Sequence, residues 1–457
     1  MHKQMAKKTF TEAYIVTVDM GYGHQRAVYP LKGIAATPVG WKEKNPIISA
    51  NNYAGIPISD RTKWEGGRKL YETVSRMKGI PIIGNWIFGI MDYLQRIEPF
   101  YPKRDLSKPT AQLKQVYGMV KGGMGKHLID TLNKKPVPYI TSFFTTAFFA
   151  EVHGYKGPIY CLCTDTDISR AWVSPKPKKS KIIYFAPNYR VKERLKCYGV
   201  QEKNIHVTGF PLPKENIDEE HKEKILKIAL GDRIQKLDPE KKFQQKYQKT
   251  IEQYLGDRYC KRKVKRPLTI MFAVGGAGAQ REIGATILRS LKDHINNGEV
   301  RLFLVAGSRN DVYRYYESVL ESHCKKNVCG IGVQIIYAEK KMDYFSKMSK
   351  ALNETDIIWT KPSEMSFYAG LGLPIIMSPT IGSQEKFNRS WLHNIGAGFE
   401  QEDPQYTHEW LFDWLETGWL AQAAMEGYLD APRHGTYLIE DIVLRGKVRQ
   451  IKDTNLL

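Results

Sequence analysis

Short apolar runs recur along both halves of the chain, and each stops at a glycine, a proline or a polar turn. In the first half, Ala13–Asp19, Val137–Phe149, Gly157–Thr164, Ile182–Asn188 and Ile205–Pro211 predict strands, with helices from Ala27 and over Tyr189–Tyr198. In the second half, Leu268–Val274, Val300–Val305 and Val333–Tyr337 predict three more. The pattern is clearest over residues 357–399. Apolar Ile357–Trp359 ends at Thr360 and Lys361. Pro362 then suits a first helical turn, where Ser363 or Glu364 can serve the orphan amides. Gly370 and Gly372 end that helix, Leu373–Met377 predicts a buried strand, and Gly382-Ser383-Gln384-Glu385 opens a second helix. This alternation predicts an α/β fold with two Rossmann-like domains facing a cleft.

Three stretches break the alternation. Lys42–Arg104 is irregular and holds an apolar piece, Gly79–Met91, flanked by Arg68, Lys69, Arg76, Lys78 and Arg96. Apolar residues beside cations suit docking to an anionic bilayer, and a core helix with basic neighbours fits equally. Residues 214–267 are rich in charge, with Ile225, Ile228 and Leu237 at helical spacing and a basic end at Lys261-Arg262-Lys263 and Lys265-Arg266. They predict a helical insertion whose basic face is solvated or meets phospholipid. Trp410, Trp414 and Trp419 follow a helical pattern expected to be core, and the tail Glu440–Leu457 is polar and basic. The predicted domains are therefore 1–213, the insertion 214–267, 268–420, and a tail 421–457 that crosses back to the first domain.

Length and charge narrow the class. A chain of 457 residues exceeds one common domain, and 42% hydrophobic residues suffice for real cores. The formal charge of +21 implies attraction to nucleic acid, anionic membrane or phosphorylated substrates. The basic run lacks the aromatic interleaving of RNA binders, so nucleic acid is not an expected partner. No apolar run approaches the roughly 18 residues of a spanning helix. The brief run Tyr14–Val18 stops at Asp19 and predicts a strand rather than a signal peptide. The cysteines at 161, 163, 197, 260, 324 and 329 show no Cys-x2-Cys spacing. Reduced thiols in a cytoplasmic protein are expected, with no zinc site.

The candidate chemistry sits at strand ends. After the first strand, Gly21-Tyr22-Gly23-His24-Gln25-Arg26 offers close backbone approach and an imidazole that titrates near neutrality. Such a His can take a hydroxyl proton or merely brace the loop. After Leu268–Val274, Gly275-Gly276-Ala277-Gly278-Ala279-Gln280 exposes backbone amides at a helix start, which can hold a diphosphate without a metal. Its spacing is neither a dinucleotide fingerprint nor a Walker loop. Glu364, Gln384, Glu385 and Asn388 are sugar- or ribose-binding types beside that phosphate site. Asp165-Thr166-Asp167 would suit a metal-bound nucleotide sugar of the GT-A class, although a tripeptide is weak evidence.

The chain resembles the GT-B glycosyltransferases, in the branch of monogalactosyldiacylglycerol synthase and the lipid-linked muramyl-peptide N-acetylglucosaminyltransferase. Thr360-Lys361, Gly372-Leu373-Pro374-Ile375-Ile376 and Gly382-Ser383-Gln384-Glu385 carry the resemblance. The loop at Gly21–Arg26 takes the place of the family's Gly-Gly-Gly-His-Arg, with Tyr22 for a glycine and Gln25 inserted. Ala306-Gly307-Ser308-Arg309-Asn310 is similar to the family's Cys-Gly-Arg-Asn, and Thr208-Gly209-Phe210-Pro211 to the Gly-x-Pro closing its first domain. Thr164-Asp165 matches a family Thr-Asp, whereas Ser169-Arg170-Ala171-Trp172 replaces a His-Pro-x-Trp. Residues 13–213 and 268–400 are covered. The helix before Gly-Leu-Pro is shorter than the family's, with Glu364 nearly a turn early.

The resemblance implies a transferase moving sugar from a UDP-sugar to an acceptor hydroxyl, that of a lipid. It implies no metal or other cofactor, and a peripheral place on the inner face of the membrane. His24 would be the base, beside Gly21, Gly23, Arg26 and Asp165 on the acceptor side. Gly275, Gly276, Gly278, Ala279, Gln280, Arg309, Lys361, Ser363, Glu364, Ser383, Gln384, Glu385 and Asn388 would hold the donor. The polar turn after Val333–Tyr337 would border the base. Two other readings stand beside this one: a UDP-sugar 2-epimerase of the same fold, and a non-enzymatic basic protein binding membrane or RNA.

Overall fold

A computed structural model of the chain describes residues 9–42, 46–66, 97–256, 264–275, 278, 280–323, 332–380 and 383–447. The apolar piece Gly79–Met91, the run Lys261-Arg262-Lys263, Gly276, Ala277, Ala279, Gly382, Cys260, Cys324 and Cys329 lie outside the described residues. The protein divides into two compact units. One comprises Met1–Pro211, Gly382–Phe387 and His434–Leu457; the other comprises Leu212–Ile381 and Asn388–Arg433.

The strands of the first unit are β1 (Tyr14–Thr17), β2 (Ile47–Ser49), β3 (Tyr139–Thr141), β4 (Ile159–Leu162), β5 (Ile182–Ala186) and β6 (Ile205–Val207). They form one parallel sheet in the order β2-β1-β3-β4-β5-β6. Tyr14 pairs with Tyr139, and Ile15 pairs with both Ile47 and Ile140. Apart from Ser49 and the second residue of β5, and the last two of β6, these strands are buried throughout. Apolar residues on both strand faces require helices on both faces of the sheet. The helices Phe144–Val152 and Tyr189–Cys197 supply part of that cover. Asn188 starts the second by accepting from Val191 N at 2.9 Å.

The second unit carries β7 (Leu268–Ala273), β8 (Val300–Gly307), β9 (Val333–Tyr337), β10 (Ile357–Thr360), β11 (Ile375–Met377) and β12 (Gly398–Glu400). These also form a parallel sheet, ordered β12-β11-β10-β7-β8-β9. Counted from β7, three strands run outward one way and the next three the other, which is the Rossmann order. The fold class read from the sequence is therefore the observed one: α/β, with the two Rossmann-like domains that make up a GT-B chain.

Several elements differ from the sequence reading. The run Val137–Phe149 is not one strand: β3 ends at Thr141 and a helix starts at Phe144. A continuous apolar run has no period to separate a buried strand from a buried helix. The edge strands β2 and β12 are only three residues long and show no apolar run of their own. The element after Lys361 is a 3-10 helix, Glu364–Leu371, ended by Gly372 at φ +65°. Trp410 and Trp414 pack at a tilt in the helix Thr407–Thr417, with ring centres 4.6 Å apart, and Trp359 lies 5.3 Å from Trp410. Trp419 departs from the core expectation: it starts the next helix and is 52% exposed.

The charged segment 214–267 lies within the second unit's bounds. Its helix Lys224–Leu237 buries Leu226, Leu230, Ile234 and Leu237 and packs on the helix Trp419–Asp430. Among the described residues, no helix is long and apolar enough to cross a membrane.

Candidate functional site

The first sheet reverses its direction of winding at β1, which has β2 on one side and β3 on the other. Open α/β sheets bind ligands outside the carboxyl ends of their strands at such a switch point. His24, on the helix Gly23–Val28, stands there. Its Nδ1 lies 2.8 Å from the carbonyl oxygen of Ser142, the residue after β3. A carbonyl only accepts, so in the neutral ring Nδ1 carries the proton and Nε2 carries the lone pair. The Ser142 hydroxyl donates to the His24 carbonyl at 2.7 Å and meets the Thr17 hydroxyl at 3.0 Å. One residue thus fixes both the backbone and the tautomer of His24.

The loop that presents His24 is braced from within. Gly21 sits at φ +110°, a conformation that favours glycine. Asn51 accepts from Asp19 N at 2.7 Å and donates to Asp19 O at 3.1 Å. Gln25 donates to Val18 O at 3.3 Å and to Asp19 Oδ1 at 3.2 Å. Gly23 opens the helix, and Arg26 is buried with its guanidinium 5.9 Å from the Tyr22 ring.

Aromatic rings surround the imidazole. Phe143 meets it edge-on at 4.9 Å and Trp172 lies at 6.4 Å. Phe144 stands 5.5 Å from Trp172, and Trp64 stands 6.2 Å from Phe143. Asp165 follows β4, with Thr164 donating to its Oδ2 at 3.4 Å. Asp167 is buried, and its carboxylate accepts two bonds of 2.8 Å from Arg194 and one of 3.0 Å from Arg190. Those guanidiniums already neutralise it. Arg170, in the segment that departs from the family pattern, is buried and donates to the carbonyls of Ser107, Val173 and Ser174. Burial lowers its pKa.

The second sheet switches between β7 and β10. The Thr360 hydroxyl donates to Ala273 O at 3.0 Å and ties the two strand ends together. Each described glycine of the loop after β7 makes room for a cation. A Cβ on Gly275 would come within 2.8 Å of Lys361 Cε. A Cβ on Gly278, at φ +70°, would lie 2.9 Å from Val312 and 3.2 Å from Arg309 Nε. Gly278 N closes the turn on Gly275 O at 2.8 Å. Gln280, at φ +69°, donates to Pro379 O at 2.9 Å and so draws in the loop after β11. The helix Arg281–Ser290 follows it.

The other donor-side residues follow strands of the second sheet in the chain. Arg309 binds both carboxylate oxygens of Asp311, at 3.0 and 2.8 Å, and holds that carboxyl below its ordinary pKa. Ser363 precedes the 3-10 helix in extended backbone and makes no side-chain cap bond to it. Glu364 is half-buried at the first position of that helix. Ser383, Gln384 and Glu385 open the helix Ser383–Asn394, whose amino terminus favours an anion. Glu385 is buried, and the fully buried Asn388 reaches Pro362 O at 3.5 Å. The segments that follow β7, β10 and β11 in the chain carry every described donor-side residue except Arg309, which follows β8; of these, Ser383, Gln384 and Glu385 fall in the first compact unit.

Sequence reasoning missed Ser142 and Phe143, because nothing near them signals a contact with a histidine 118 residues earlier. Asn51 was missed for the same reason.

The fold class and the two switch points define a GT-B-like chain. A family described as a domain of unknown function (DUF6938) matches residues 243–329. The chain is similar to the processive diacylglycerol beta-glucosyltransferase of Bacillus licheniformis, at 22% identity over 282 residues. That match covers 60% of this chain and 60% of the relative, so the chain spans less than two thirds of that protein's length. Among solved structures, S. aureus MnaA with UDP is similar at TM-score 0.46 and 11% identity, covering 95% of this chain and 96% of that one. Acinetobacter baumannii MurG gives TM-score 0.42 and 13% identity, covering 74% and 80%. UDP-GlcNAc 2-epimerase from Neisseria meningitidis, bound to UDP-GlcNAc, gives 0.40 and 14%, covering 70% and 82%.

Proposed function

We propose that the chain is a metal-independent glycosyltransferase of the lipid-acceptor branch of GT-B enzymes, moving a sugar from a UDP-sugar to a lipid hydroxyl at an anionic membrane surface. One observation carries the reading. In each of two sheets, residues read as catalytic or donor-binding follow the strands at the switch point, His24 after β1 and Gly275, Gly278, Lys361 and Glu364 after β7 and β10, where such sheets hold ligands. The relative that binds diacylglycerol by its name supports the lipid acceptor.

In this mechanism the first unit handles the proton. Nε2 of His24 removes the proton of the acceptor hydroxyl as its oxygen bonds to the anomeric carbon. The bond from that carbon to the UDP oxygen breaks, and UDP leaves with the bonding pair. Phe143, Phe144 and Trp172 give the acceptor an apolar wall. Segments that follow the strands of the second sheet hold the leaving group. Backbone amides of the loop after β7 and the start of Ser383–Asn394 receive the diphosphate, with Lys361 as its cation. Gln384 and Glu385 bond sugar hydroxyls, and Glu364 the ribose.

The test uses the purified full chain with UDP-glucose, UDP-galactose and UDP-GlcNAc, with and without vesicles of phosphatidylglycerol containing diacylglycerol. Calorimetric binding of UDP and a new glycolipid in the mass spectrum are expected. Absence of UDP binding under every condition would remove the reading. Conversion of UDP-GlcNAc to its 2-epimer with no acceptor present would replace it by the epimerase.

A further inference from the structure

The helix Lys224–Leu237 falls in the segment that the family resemblance leaves uncovered, yet it carries a fully buried arginine. Arg233 Nε donates to Thr355 O at 3.0 Å, and Nη1 donates to Leu371 O at 2.8 Å and Gly372 O at 2.9 Å. Burial lowers its pKa to about 10, against the opposing pull of Asp356, so it is charged at neutral pH. A cation buried in this way is costly unless its donors are used. Here they are used on backbone carbonyls at two chosen places. Thr355 lies just before β10, and Leu371 and Gly372 end the 3-10 helix that follows β10.

A second contact comes from one turn earlier on the same helix. A Cβ on Gly372 would lie 2.6 Å from Leu230 Cδ1 and 3.3 Å from Ala424 O. Leu230 and Arg233 therefore close on Gly372 together, one on its Cα and one on its carbonyl. The glycine that opens Gly372-Leu373-Pro374 answers to this helix as well as to its own φ of +65°. Rotation of the 3-10 helix about its axis would break the Leu371 and Gly372 bonds. Sliding of β10 would break the Thr355 bond.

Resting on the donor role given to Lys361 and Glu364, we infer that Arg233 is a positioning residue for the donor site. It clamps the outer ends of β10 and of the 3-10 helix, and so sets where their inner ends present Lys361, Ser363 and Glu364. The helix is eight residues long; at about 2 Å per residue the effect is carried over about 16 Å.

The test compares full-length wild type with R233M, which keeps the length without the charge, and R233K, which keeps the charge with fewer donors. Calorimetry with UDP, hydrogen exchange over 357–377, and the KM for lipid acceptor at saturating donor are read on each. Expected for R233M are at least tenfold weaker UDP binding, faster exchange at 364–372 and an unchanged acceptor KM, with R233K in between. If R233M does not fold, R233K alone must show the weaker binding and the faster exchange. UDP affinity equal to wild type in either folded variant, or an acceptor KM that changes as much as the UDP affinity, overturns the inference. A wild type that binds no UDP overturns the donor reading itself and this role with it.

Discussion

The two sheets wind alike and end differently. At the switch point of the first, a histidine is held by a carbonyl and a hydroxyl of Ser142 and faces aromatic rings. At the switch point of the second there are glycines and a lysine against one of them. A site of the first kind fixes the direction of a proton and welcomes apolar matter. A site of the second kind receives negative charge without shifting its own protons. The topology supplies the place in both cases, and the residues at the strand ends decide the chemistry.

If the two sites divide the work in this way, single substitutions separate them. His24→Ala is expected to lower transfer by about 100- to 10,000-fold, the range for loss of a general base. UDP affinity by calorimetry should stay at the wild-type value. Asp167→Ala leaves Arg194 buried without its carboxylate, and breaking a buried pair costs about 3–5 kcal/mol. Urea unfolding should show that loss in the first unit while UDP binding persists. Lys361→Met removes a charged partner of the diphosphate, for which about 1.5–3 kcal/mol, or roughly 10- to 100-fold in UDP affinity, is expected. The wild type should bind UDP more weakly as salt rises, and this variant less steeply so.

The smallest effect belongs to Asp311. Its side chain is about half exposed, so its pair with Arg309 is worth at most about 1 kcal/mol. Arg309 depresses the folded-state pKa, so the contribution is present above the unfolded carboxylate pKa and fades as pH falls through the lower folded value. Asp311→Asn should leave UDP binding near neutral pH within a few-fold. It should abolish that acid-side loss in a thermal melt followed against pH.

The sequence showed the strand ends because apolar runs stopped by glycine or proline mark them locally. Val333–Tyr337 coincides with β9, and the glycine end of the 3-10 helix falls at Gly372. What it hid is long-range. Ser142 acquires its part only when β3 pairs with β1, and Arg233 only when its helix packs beside Gly372. A charged helix with modest apolar spacing looks like a solvated insertion until its buried face is seen. The edge strands β2 and β12 were hidden for another reason: three residues held by one neighbour need no apolar run.

Hydrogen exchange of the full chain with and without UDP tests the division of labour most directly. Protection by UDP is predicted at the loop after β7, at residues 361–366 and at the start of the helix Ser383–Asn394, with none at residues 18–28 or 142–144. Protection confined to the His24 loop, or none anywhere at saturating UDP, would contradict the account.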